Sequence, residues 1–318
     1  MNGSLARGPA VDIDALWFAW AGADGILRTA RFDTAEPLIR RTGAACDAVV
    51  PGHGPGRFLV VREGTVRPWT AATGDEGPPV DLPEGVHRLM EVPGGPGADT
   101  PHLLAAVPGA LLRHGSEGWH VLEEPDAPVI ALAWQFRRHR ALAFTASGAV
   151  HGYDPATGLL EPSSPPSADR YRLALYDEIL GGVWALPEER PDRAHFLRVE
   201  PGPPERVYDV ALPAAAVGLG VSHSGEWLIV RARGEAPSAW LYNVNGARSF
   251  PAPPAMAVSA WPGAFTFDNH LVAVRDDEVQ IVEIPARADV RAPGTALDIE
   301  VFWEARPRMH RASRVSGP

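Results

Sequence analysis

Short apolar runs of four or five residues recur along the chain: Phe58-Leu59-Val60-Val61, Leu103-Leu104-Ala105-Ala106-Val107, Ala141-Leu142-Ala143-Phe144, Trp227-Leu228-Ile229-Val230 and Leu271-Val272-Ala273-Val274. Runs this short, with no helical period, suit strands buried on both faces. A second set precedes them: Val129 to Trp134, Val217 to Val221 and Met256 to Trp261. Small residues in these segments fit the crowded innermost strand of a radial array of sheets.

The runs belong to a repeat. In Arg62-Glu63-Gly64-Thr65-Val66-Arg67-Pro68-Trp69-Thr70-Ala71-Ala72-Thr73-Gly74 and again in Ala146-Ser147-Gly148-Ala149-Val150-His151-Gly152-Tyr153-Asp154-Pro155-Ala156-Thr157-Gly158, a glycine turn is followed five positions on by an aromatic residue. A Thr-Gly turn follows that. Gly234 to Gly246, with Trp240-Leu241-Tyr242, is a looser third copy. Each copy reads as a hairpin, a strand whose aromatic packs between neighbouring sheets, and a second turn in which glycine accepts positive φ. Equivalent turns fall near Gly25, Gly64, Gly109, Gly148, Asp192, Gly234 and Asp277. Their spacing of about 39 to 45 residues is that of a four-stranded propeller blade. The expectation is an all-β fold, one propeller of seven four-stranded antiparallel blades, with six or eight blades as alternatives. It would span residues 12–305, between a flexible N-terminus (1–11) and a flexible tail (306–318).

Gly220-Val221-Ser222-His223-Ser224-Gly225-Glu226-Trp227-Leu228-Ile229-Val230 resembles the inner strand, Ser-x-x-Gly turn and next strand of the WD-repeat class of bacterial propellers, and Tyr153-Asp154 sits where that class carries Trp-Asp. The resemblance runs through the period over roughly residues 12–285. Most copies lack the Gly-His and Trp-Asp dipeptides, so the chain resembles a divergent member, and no particular partner carries over.

The ends are less regular. Asp14 to Arg31 reads as two strands around Ala23-Asp24-Gly25, while Thr34 to Arg41 permits a helical turn after a Thr cap. Ala296 to Trp303 alternates like a further strand that would complete the last blade or pair with the first, removing the open edge.

Composition narrows the function classes. The 318 residues include 32 Gly and 33 Pro, scattered as in a turn-rich fold, and the basic side chains are all Arg. That bias also fits a GC-rich coding sequence. A net charge of −10 argues against general binding to nucleic acid or anionic membrane, both of which need concentrated positive charge. The single cysteine, Cys46, excludes an intramolecular disulfide or a cysteine-based zinc site. With no basic and apolar leader over Met1 to Asp14, it points to the cytoplasm.

No catalytic, cofactor-binding or metal-binding motif emerges. The eleven His show no close ligand spacing. Pro51-Gly52-His53-Gly54-Pro55-Gly56 reads as a loop, and Gly220-Val221-Ser222-His223-Ser224 lacks the last glycine of a nucleophile elbow. Asp47, Glu91, Asp177, Glu178 and Asp268 lie near strand ends, where blades could gather carboxylates at a channel mouth. One feature departs from the acidic background: Arg137-Arg138-His139-Arg140, beside Trp134 and Phe136. Arginine with aromatics is enriched at interface hot spots. The expected function is therefore a non-catalytic scaffold or recognition subunit that binds another protein through Trp134, Phe136, Arg137, Arg138, His139 and Arg140. The alternatives are a lactonase-like hydrolase or lyase with a channel-mouth site, and a module of a bacterial ATPase-linked or defence assembly.

Overall fold

The computed structural model describes residues 5, 9–12, 14, 16–32, 38–94, 101–199, 204–222, 224–232, 238–244, 248–252, 264–265, 270–275, 278–282 and 310–311. They form an all-β propeller built from four-stranded antiparallel sheets, of which seven are present. Blade 1 holds β1 (Ala10–Val11), β2 (Trp17–Ala21), β3 (Ile26–Arg31) and β4 (Leu38–Ala45); blade 2 holds β5 (Ala48–Pro51), β6 (Arg57–Arg62), β7 (Thr65–Thr70) and β8 (Val80–Asp81). Blade 3 comprises β9 (Arg88–Val92), β10 (His102–Val107), β11 (Ala110–Gly115) and β12 (Gly118–Glu123). Blade 4 comprises β13 (Val129–Gln135), β14 (Arg140–Thr145), β15 (Val150–Asp154) and β16 (Leu159–Leu160). In blade 5 they are β17 (Tyr171–Asp177), β18 (Gly182–Pro187), β19 (Arg193–Arg198) and β20 (Glu205–Ala211). Blade 6 has β21 (Ala216–Val221), β22 (Trp227–Ala232), β23 (Ser238–Asn243) and β24 (Arg248–Pro251), and blade 7 has β25 (Ala264–Phe265), β26 (Leu271–Arg275), β27 (Glu278–Val282) and β28 (His310–Arg311). Strands pair in chain order within every sheet. The first strands of successive blades are neighbours and so line the centre.

The apolar runs of the sequence are the second strands. Side chains alternate across a strand, and here both faces meet another blade, so alternation becomes a continuous apolar run. Phe58 of β6 packs against blade 1 with Ala19 and Leu27, whereas the adjacent Leu59 packs against blade 3 with Leu89 and Leu103. Trp227 and Leu228 divide in the same way between blades 7 and 5. Fully burying each such side chain contributes about 1.5–3 kcal/mol. The repeat aromatics Trp69 and Tyr153 are buried in these inter-blade layers as well.

Turns expected near Gly25, Gly64, Gly109, Gly148 and Asp192 join the second and third strands of blades 1 to 5. Those at Gly234 and Asp277 lie outside the described residues, though the flanking strands pair across them. Blades 7 and 1 close the ring face to face, Val272 and Val274 packing on Phe18 and Trp20. Among the described residues no strand is shared between those two blades. The strand expected over Ala296 to Trp303 lies outside them.

Three expectations at the ends need correction. Leu38–Ala45 is the outer strand β4 rather than part of a helical turn, because Arg31 pairs with Leu38 and Arg28 with Arg41 across the sheet. Within the N-terminal stretch expected to be flexible, Ala10–Val11 pairs with β2, and Leu5 packs on the layer between blades 2 and 3. Within the expected tail, His310–Arg311 pairs with Ile281 and Gln280 as β28.

Candidate functional site

A hairpin of common geometry joins the first two strands in five blades. The residue ending the inner strand pairs with the one five positions later: Asp12 with Trp17, Gly52 with Arg57, Gln135 with Arg140, Asp177 with Gly182 and Ser222 with Trp227. Four of these first residues are buried polar side chains, Asp12, Gln135, Asp177 and Ser222, a placement that requires hydrogen-bond partners. Asp12 Oδ1 accepts from the amides of Leu16 and Trp17 at 2.9 and 2.8 Å, and its Oδ2 accepts from Gly56 of the next blade at 2.8 Å. Asp177 Oδ1 accepts from Ile179 and Leu180 at 3.1 and 3.0 Å, while Trp184 Nε1 donates to Oδ2 at 3.2 Å. Ser222 Oγ accepts from the Trp227 amide at 3.0 Å. Gln135 Oε1 accepts from Arg140 Nε at 2.7 Å.

In blade 2 glycine occupies this position, and the neighbouring blade supplies the acceptor. Glu91 of β9, whose side chain is 1% exposed, takes Nε and Nη2 of Arg57 at 2.8 and 2.6 Å and the His53 amide at 2.7 Å.

These pins bring the hairpins of blades 2, 4 and 5 together on one face of the disc. The His53 ring lies edge-to-face with Trp134 at 5.4 Å and stacks on Phe136 at 6.2 Å, and Trp134 meets Phe136 edge-on at 6.5 Å. Burial lowers the His53 pKa, the nearby Glu91 opposing it. Phe136–Arg138 forms a single 3-10 turn. Glu178 of the blade 5 hairpin accepts from the amides of Phe136 and Arg137, both at 3.3 Å. Below it, burial and then the Glu178 charge push the Tyr176 hydroxyl up to about 12.

The loop singled out in the sequence divides into an inner and an outer part. Trp134 is half-buried among His53, Phe136 and the blade 3–4 core. Arg140 is held by Gln135 and Glu161, which takes it out of the exposed tip. Phe136, Arg137, Arg138 and His139 are exposed, and the Arg137 side chain makes no ion pair among the described residues. Sequence reading missed Ile179 and Leu180, which extend this surface with exposures of 47% and 38%, beside 40% for Phe136. A signal was available. Gln135 to Arg140 and Asp177 to Gly182 are the same hairpin one repeat apart, and in both the fifth residue is left-handed, His139 at φ 51° and Gly181 at φ 66°.

Among the described residues the candidate carboxylates Asp47, Glu91 and Asp177 do not converge. Asp47 precedes an inner strand and accepts from the Glu63 amide at 2.8 Å, whereas Glu91 and Asp177 lie at the opposite ends of inner strands, each committed to a hairpin. Asp268 lies outside the described residues. Among the described residues no group of three His, Cys, Asp or Glu is placed to hold a metal ion, and no helix is long and apolar enough to cross a membrane.

No protein-family model matches the chain, and no curated protein does. Solved structures do. The β-propeller domain of Cps50 (Swd1) from Myceliophteria thermophila is similar at a TM-score of 0.64 with 12% identity, covering 89% of this chain and 98% of that one. A chain of the mitotic checkpoint complex is similar at a TM-score of 0.61 with 13% identity, covering 88% and 90%. At such identities the likeness concerns the fold alone: the chain is a β-propeller.

Proposed function

We propose that this chain is a seven-bladed, non-catalytic propeller that scaffolds or recognises another protein, working in the cytoplasm and engaging its partner through the joined hairpins of blades 4 and 5. The observation that carries this reading is the grouping of Phe136, Ile179 and Leu180, three large apolar side chains exposed on adjacent hairpins that Glu178 ties together. Singly exposed apolar residues are ordinary; three on two hairpins joined through Glu178, one of them bearing exposed arginines, have the make-up of an interface centre. The similar structures include a chain from a multi-protein complex, which suits such a role.

Affinity capture from the native host tests it, comparing the unaltered chain with an Arg137→Ala/Ile179→Ser/Leu180→Ser variant. Arg140 is left intact because it serves the hairpin. A stoichiometric partner captured by the parent and lost by the variant is expected. Absence of any stoichiometric partner counts against a scaffold, and undiminished capture by the variant counts against this face.

A further inference from the structure

The charge around the apolar group says what kind of segment it takes. The protein carries a net charge of −10, yet the tip of the blade 4 hairpin presents Arg137, Arg138 and His139 together, all exposed. The nearest acid on the facing hairpin, Glu178, does not form an ion pair with Arg137. Its two oxygens accept instead from the backbone amides of Phe136 and Arg137, which fixes the hairpin while leaving the Arg137 guanidinium without an ionic partner among the described residues. On the facing hairpin Ile179 and Leu180 follow Glu178 directly, exposed and with their backbone fixed by Asp177. A fixed cationic tip next to a fixed apolar step is complementary to a chain with the reverse order of properties.

Resting on the scaffold reading above, we propose that this face binds a linear acidic peptide segment, in which an apolar residue covers Phe136, Ile179 and Leu180 while flanking carboxylates meet Arg137 and its neighbours. Arginine suits this task because its planar fork can engage a carboxylate through two hydrogen bonds. The net charge of the protein disfavours acidic segments in general, so the local reversal supplies selectivity as well as attraction.

Selection of a random dodecapeptide display library on the full-length protein tests the proposal. Enriched peptides are expected to carry Asp or Glu next to Leu, Ile, Phe or Trp. For a synthetic labelled copy of one of them, affinity should fall about tenfold, equivalent to about 1.4 kcal/mol, with Arg137→Glu. It should fall comparably with Ile179→Asp, decrease with rising salt, and be unchanged by Arg190→Glu in the turn at the opposite end of blade 5. The substituted side chains are exposed, and unchanged circular dichroism and melting would confirm that each variant folds. Failure to enrich peptides, enrichment of neutral or basic ones, or acidic peptides indifferent to both Arg137→Glu and Ile179→Asp would overturn the proposal. The scaffold reading fails separately: a host partner retained by Arg137→Glu refutes the acidic-segment site but leaves the scaffold standing, whereas absence of any host partner strikes the scaffold itself.

Discussion

Arg57 of blade 2 and Glu91 of blade 3 form a two-pronged ion pair across the blade boundary, with Nε 2.8 Å from one carboxylate oxygen and Nη2 2.6 Å from the other. The carboxylate is almost wholly buried while the guanidinium side chain stays 32% exposed. Removing one partner of a fully buried pair costs about 3–5 kcal/mol; solvent screening of Arg57 lowers the expectation for Glu91→Ala to about 2–3 kcal/mol. Urea unfolding should show a lower midpoint with an unchanged slope. Glu91→Gln should lose less, since an amide oxygen can still accept from the His53 amide.

The Asp177 side chain answers three donors, the amides of Ile179 and Leu180 and the indole of Trp184. Asp177→Ala leaves buried donors without acceptors, at about 1–3 kcal/mol for an unsatisfied group, so a loss of about 2–4 kcal/mol is expected for the set. Because the freed amides belong to the exposed apolar step, hydrogen exchange at Ile179 and Leu180 should accelerate more than in the cores of blades 1 and 2. Uniform acceleration across all blades would show that the side chain serves global stability only.

Much of the ring was legible and much of the site was not, for one physical reason. A second strand such as Leu103 to Val107 meets blades on both faces, so its burial writes a continuous apolar run. An outer strand such as β20 (Glu205–Ala211) meets water along one edge and is mostly exposed. Its sequence therefore carries little pattern, and Thr34 to Arg41, which runs into the outer strand β4, similarly permitted a helical reading. The inner hairpins were hidden differently. Asp12, Gln135, Asp177 and Ser222 perform the same job through a carboxylate, an amide and a hydroxyl, and in blade 2 the work passes to Glu91 of the next blade. Identity of role without identity of residue leaves no motif. The carboxylates Glu91 and Asp177 looked like candidates for channel chemistry because spacing along the chain does not reveal the hairpin donors that engage them, Arg57 and the His53 amide on Glu91 and two amides and an indole on Asp177.

Acid should unfold this protein earlier than its carboxylates alone would dictate. Burial lowers the pKa of His53, His102, His114, His151 and His195 below the usual 6.5. In the window between the lowered folded value and about 6.5, the unfolded chain binds more protons than the native one, so stability rises with pH there and is lost as pH falls below about 6.5. His195 is the informative member. Its two ring nitrogens lie 3.6 Å from Asp169 and from Asp209, its Nδ1 is 3.3 Å from the Tyr171 hydroxyl, and Arg193 and Arg206 stand nearby. The acids oppose burial there, so His195→Gln should flatten the slope of stability below pH 6.5 only slightly, and His102→Gln, which faces Arg113 instead of an acid, should flatten it more. Melting temperatures across that range would decide between them.

His139 occupies a backbone position that blades 2 and 5 give to glycine. Its φ of 51° matches Gly56 at 63° and Gly181 at 66°, each the fifth residue of its hairpin. A side chain in the left-handed region costs about 1–2 kcal/mol relative to the right-handed one, and only glycine is free of that penalty. His139→Gly should therefore be neutral or stabilising by up to about 1 kcal/mol, the relief offset by the greater freedom of glycine in the unfolded chain. His139→Val should cost about 1–2 kcal/mol, because a β-branched residue tolerates positive φ least. The pair separates backbone from side chain at the proposed face. If the hairpin shape is what a partner needs, His139→Gly keeps binding of an acidic peptide within about twofold and His139→Val loses it. Equal loss in both variants would instead assign the contact to the His139 ring.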